Sequence, residues 1–213
     1  MVEQTAVLGV ASVGLGMVLS PGPNMMYLIS RSTSQGRRAG IISLAGVAAG
    51  FLVYLVGANL GLAVLFAALP GLLTVIRVAG ALYLLWLAWQ TLKPGGMSVF
   101  ASKDVPPEPP RRLFLMGLMT NLLNPKIALL YVAVIPQFIV LDQGNVLLQG
   151  TVLGCVQIAV ALLVNLAIVL AAGGIAGFLA VRPTWLRAQR LVMGSLLAVL
   201  AITLAVMPQG AMS

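Results

Sequence analysis

Apolar residues run along this chain in long blocks divided by short polar segments, without the two-residue alternation of lipid-facing strands. The blocks predict helical spans at 6–29, 41–67, 72–92, 113–140, 146–170 and 186–207. Each is long enough to cross a hydrocarbon layer, which takes about 20 residues. The expected fold is an all-α integral membrane protein of six transmembrane helices. Two blocks are interrupted, by Pro21-Gly22-Pro23-Asn24 in the first and by Asn124-Pro125-Lys126 in the fourth. Proline within lipid frees backbone groups that must find other partners, so spans one and four are expected as broken helices. Such breaks at membrane depth mark the substrate site of a transporter.

Composition agrees: 61% of the 213 residues are hydrophobic and 8% charged, with a mean hydropathy of +1.08. A soluble domain is about a quarter charged. The first block is too long for a secretion signal and is flanked by Glu3 rather than a cation, so it is expected to be retained as a span. The 23 glycines suit close helix packing. The one cysteine, Cys155, can form no disulfide within the chain and is expected to be a small core residue.

A net charge of +8 and a pI of 10.6 would suggest nucleic acid, but the cation positions exclude it. Arg31, Arg37 and Arg38 follow span one; Lys93, Lys103, Arg111 and Arg112 follow span three; Arg182, Arg187 and Arg190 lie before or early in span six. The opposite loops hold Asp142, with Glu3 near the start and an uncharged tail at 208–213. The positive-inside rule then puts both termini outside the cytoplasm. Trp86, Trp89 and Trp185 fall at span ends on the cationic side, as interfacial anchors do. The Pro- and Gly-rich stretch 94–110 is an extended connection, so the chain is expected to be one membrane domain over 1–213. Its parts are a first repeat at about 6–92, a cytoplasmic linker at about 93–112 and a second repeat at about 113–207.

The repeat appears when the chain is slid by 104 places, which aligns Pro21 with Pro125, Tyr27 with Tyr131, Gly46 with Gly150 and Gly50 with Gly154. The third spans share a weaker match, RVAGAL at 77–82 with RLVMGSL at 190–196. Glycine and leucine matches arise by chance in membrane sequence; the shared prolines carry the repeat. Three spans per half make the halves inverted, an arrangement that rocks about a site near the bilayer midplane.

Counting from the flanking cations puts Asn24 ~10 Å and Pro125 ~20 Å inside the membrane. A half-helix starting at Pro23 would offer the amides of Asn24, Met25 and Met26 to a carboxylate. The helix stopping before Pro125 would leave carbonyls around Asn121 and Leu122 for an ammonium. Together the breaks suit a zwitterion, with Gly22 permitting close approach. Beyond the arginines at the start of span six, Lys126 and Arg77 are the cations within spans. Lys126 adjoins a break and meets no intramembrane carboxylate, which leaves a substrate carboxylate as its partner. Arg77 is open to snorkelling at the outer end of its span or to a role in the site.

With no His, no carboxylate inside a span and one Cys, no metal site is expected, nor a catalytic pair for hydrolysis. The phosphate-binding loop of a nucleotide-driven pump is missing. No cofactor and no enzymatic activity are expected; transport would be secondary or channel-like.

At these residues the chain resembles the lysine exporter and homoserine-threonine resistance family of bacterial amino-acid exporters. The resemblance is carried by Ser20-Pro21-Gly22-Pro23-Asn24 followed by Gly36 and Gly40, by RVAGALYLL at 77–85, and by TNLLNPKIALLYVAVIPQF at 120–138. It runs over essentially the whole length. It implies a carrier of the bacterial inner membrane, driven by the proton gradient, that exports small amino acids or related metabolites. The family's broken-helix motifs fall on Pro21, Gly22, Pro23, Asn124, Pro125 and Lys126. Many members carry an acid after the second-span glycines, where this chain reads Gly46-Val47-Ala48-Ala49-Gly50-Phe51. Without that acid a dibasic substrate would face Lys126 uncompensated, so the expected cargo is a neutral amino acid. An exporter of a small anion and a non-transporting scaffold stay open as alternatives. The partners implied are an amino acid and the lipid bilayer, with self-association left open and no nucleic acid.

Overall fold

The computed structural model describes residues 2–20, 22–68 and 106–180, together with single residues inside 78–93 and 191–205 that are helical up to residue 92 and again from 191. Every regular element among them is a helix: α1 Gln4–Leu19, α2 Pro23–Gln35, α3 Arg37–Ala68, α4 Pro110–Leu122, α5 Pro125–Leu129 and α6 Val146–Ala180. A π turn at Leu130–Val134 and a 3-10 turn at Ile135–Phe138 continue α5. Arg37–Gly61 and Val146–Ala172, of mean hydropathy 2.2 and 2.5, are each long and apolar enough to span a membrane. The pairs α1 with α2 and α4 with α5 pass the same test as bent units, with bends of 55° and 50°. This makes two spans, or four if each bent pair crosses once. Spans three and six of the sequence reading lie largely outside the described residues.

The punctuation is local chemistry. Ser20 and Asn124 each precede a proline and are extended, as the proline ring requires of its predecessor. Pro23, Pro110 and Pro125 then occupy first helical positions, where a missing amide proton costs nothing. Gly36, at φ 82°, turns α2 into α3 in a conformation that side chains disfavour.

The polarity is inside out. Leu52, Val53, Val56, Leu60 and Leu163 are exposed, while Asn24, Asn121, Asn124, Lys126, Gln157 and Asn165 are buried. That distribution suits lipid outside and polar chemistry within. Cys155 is exposed as well, correcting its expected place in the core. The α3–α4 seam is made by glycines: a Cβ at Gly46 would collide with the Phe114 carbonyl, and one at Gly117 with the Ser43 carbonyl. Tyr27 of α2 reinforces it, donating to Leu113 O at 2.7 Å while Ser43 donates to Tyr27 at 3.1 Å.

Arg31 is not the loop cation expected from its place after span one. It lies in α2 and is buried, donating to Pro106 O at 3.1 Å and Gln35 Oε1 at 3.3 Å. Gln35 in turn donates to Glu108 O at 3.1 Å, so the end of the linker is strapped to α2. The helices also outrun their predicted ends, α2 reaching Gln35 and α6 reaching Ala180.

Gly46→Leu and Gly117→Leu are each expected to destabilise the protein by about 1–3 kcal/mol through overpacking. Gly57→Ala, where a Cβ meets nothing, should cost nothing; thermal unfolding in detergent measures all three.

Candidate functional site

The two breaks meet each other. At the first, the Ser20 amide closes α1 onto Gly16 O at 3.1 Å, and the carbonyls from Met17 onward have no following helical turn to bond. At the second, Asn124 accepts the Lys126 amide on its Oδ1 at 3.1 Å and caps the short α5. That cap fixes the first turn of α5, from which the Lys126 side chain crosses to α1. Its ammonium donates to Met17 O and to Ser20 O, at 3.0 Å each. A cation at a helix C-terminus meets the negative end of the dipole, so the seat suits its charge. Gly22 leaves room for the approach, since a Cβ there would lie a tight 3.2 Å from Lys126 Nζ. Positions 22 and 126, which meet here, are also 104 apart in the chain.

A cavity of about 30 Å³ opens beside this junction. Its polar wall comes from Ser20, Asn24, Asn124, Lys126, Gln157 and Asn165, its apolar wall from residues such as Met25, Phe51 and Leu130. Gln157 and Asn165 belong to a buried stripe on α6, which reads Gln149, Leu153, Gln157, Ala161, Asn165 and Val169 at four-residue steps along one face. Gln157 is committed, accepting from the Tyr131 hydroxyl at 2.8 Å, and Tyr131 stacks on Tyr54 with centroids 5.6 Å apart. Ser20 Oγ, Asn24 Oδ1 and Asn165 Oδ1 are buried with no hydrogen-bond partner among the described residues. Unpartnered buried polar atoms are costly; these three share one cavity, while the Oδ1 and Nδ2 of Asn121, also without partners among these residues, lie away from it. No group of His, Cys, Asp or Glu among the described residues is arranged to hold a metal.

The model of the LysE type translocator family matches residues 15–208. The chain belongs to the LysE-type translocator family. The uncharacterized membrane protein YrhP of Bacillus subtilis is 33% identical over 157 residues, 69% of this chain and 73% of that protein. The threonine efflux protein of Escherichia coli K12 is 32% identical over 62% of this chain and 66% of its own length. The leucine efflux protein of Klebsiella pneumoniae is 34% identical over 58% of each. The aligned segment thus spans less than two thirds of either efflux protein. No solved structure matches.

In this translocator, Gly22, Asn24, Met25, Asn124 and Lys126 are brought together on the cavity wall. Pro23 and Pro125 shape the breaks but are themselves exposed. Pro21 and Arg77 lie outside the described residues. Met26 is half-buried in a cluster with Met25 and Ile29, and its amide is not free, donating to Gly22 O at 3.0 Å. Asn121 is buried against Gly50 and does not line the cavity.

The carbonyls of Asn121 and Leu122 are likewise not vacant. Asn124 N donates to the first at 3.0 Å and the Tyr54 hydroxyl to the second at 2.7 Å, because the chain tightens before Pro125. The carbonyls that do receive an ammonium belong to α1, and the ammonium is that of Lys126 itself. The sequence reading missed the Ser20 side chain, Gln157 and Asn165 as cavity residues. The signal for the last two was polar residues recurring at eight-residue spacing in an apolar helix. Phe51, where an acid is expected by resemblance, stands on the cavity wall.

Gln157→Leu would leave the Tyr131 hydroxyl unpartnered and is expected to destabilise by about 1–3 kcal/mol. Asn165→Leu removes an oxygen that is already unpartnered, so its melting temperature in detergent should equal or exceed that of the wild type.

Proposed function

We propose that this translocator exports neutral amino acids from the cytoplasm by alternating access, the two broken spans meeting at the substrate site. One observation carries the reading: a single buried cavity holds both a cation, Lys126, and unpartnered acceptors on Ser20, Asn24 and Asn165. A carboxylate is drawn to the first and an ammonium to the second. A simple anion would leave the acceptors unused, which favours the amino acid over the anion exporter. A scaffold needs neither group. The names of the threonine and leucine efflux proteins point the same way.

The offset of 104, the similar bends and the contact between positions 22 and 126 support an inverted repeat of two three-span halves. At about 30 Å³ the cavity holds a water or two rather than an amino acid, so it must widen to admit the substrate. Rocking of one half against the other would then open it to either side. The one-sided loop cations support an inner-membrane protein with both termini away from the cytoplasm. No span carries a carboxylate that would take a proton or offset a second positive charge. Neutral cargo follows from that, because a dibasic solute would add like charge beside Lys126.

Purified protein in proteoliposomes should release preloaded leucine or threonine at least about tenfold faster than lysine, the penalty of like charge. Lys126→Ala should lower kcat/KM by about ten- to a hundredfold, the worth of a hydrogen bond to a charged group. Equal rates for lysine and leucine, or an unaffected variant, would count against the reading.

A further inference from the structure

The seat of the Lys126 ammonium has the chemistry of a small-cation site. Met17 O and Ser20 O hold it at 3.0 Å each, on the C-terminal end of a half-helix. Ser20 Oγ, Asn24 Oδ1 and Asn165 Oδ1 lie around the same cavity, unpartnered, in residues only 2%, 7% and 1% exposed. Every one of these donors is a neutral oxygen. Tight divalent sites draw on charged carboxylates, whereas half-helix ends and unwound carbonyls coordinate monovalent ions in secondary transporters.

We propose that Lys126 is a tethered substitute for a free monovalent cation, its ammonium occupying a seat that would otherwise take an alkylammonium or alkali ion. The tether carries the charge on α5 to the end of α1, joining the two breaks without an ion drawn from solution. The carrier then closes without a dissolved cation, while keeping a positive charge beside the substrate carboxylate. That role in transport rests on the exporter reading, whereas the seat itself is testable without flux.

Shortening the side chain vacates the seat. Lys126→Ala and Lys126→Met, the latter keeping the stem beside Gly22, are purified in detergent, and their melting temperatures are followed against methylammonium, sodium and potassium chloride. Choline chloride, too bulky for the seat, serves as the matched-ionic-strength control. In either variant, at least one of the three cations should raise the melting temperature saturably by a few degrees above choline. The wild type, with its seat filled, should show no such difference. A response to methylammonium alone marks a hydrogen-bonding seat, and a response to sodium or potassium a bare-ion seat. Identical curves in all four salts, an equal response in the wild type, or failure to recover either variant folded in any of the three cations would overturn the proposal. Absence of amino-acid flux through the wild-type protein, with an intact cation response in the variants, would instead fault the exporter reading alone.

Discussion

The ammonium of Lys126, held at 3.0 Å by two carbonyls of a different helix, is the contact on which the arrangement depends. Each side of it would be unfavourable alone. A helix ended by proline in an apolar surrounding leaves carbonyls without donors, and a lysine at the centre of a span costs roughly 2.5–3.5 kcal/mol on insertion scales. Placed together, the negative end of α1 and the buried cation satisfy one another. The two breaks therefore stabilise each other, and Gly22, lacking a side chain, leaves room beside the lysine.

The surrounding helices can be understood as what holds that junction in place. The glycine seam of α3 and α4 brings the end of α4, and so the second break, against the middle of α3, where Phe51 faces the cavity. The α6 stripe closes the other side with Gln157 and Asn165. Gln157 is spent on Tyr131, but Asn165 keeps an oxygen without a partner, as do Asn24 and Ser20. Leaving three polar atoms unsatisfied around one cavity sacrifices stability there. The exporter reading explains why: those atoms complement a solute that is present only during transport.

How much was legible in the sequence follows from how local each cause is. The breaks at Pro21 to Asn24 and at Asn124 to Lys126 were legible because proline acts on its immediate neighbours. Spans over α3 and α6 were legible because length and hydropathy are properties of the segment alone. Arg31 was misplaced because its partner Pro106 is distant in the chain and no local rule foresees it. The identity of the carbonyls that receive the ammonium was missed for the same reason, since α1 and α5 meet only in three dimensions. Cys155 shows a different limit: where both lipid and interior are apolar, an apolar run does not say which side faces in. The Gln157 and Asn165 stripe is readable by its spacing, which shows a shared helix face but not the cavity it lines.

The claim that one cavity recognises both ends of a zwitterion is tested most directly by equilibrium binding of three matched solutes to the purified wild-type protein. Leucine carries both charged groups, leucinamide lacks the carboxylate, and 4-methylpentanoate lacks the ammonium. Calorimetry should detect leucine and find the other two weaker by about tenfold or more, since each leaves a charged or buried polar partner unmatched. Binding of 4-methylpentanoate as tight as that of leucine would contradict the account.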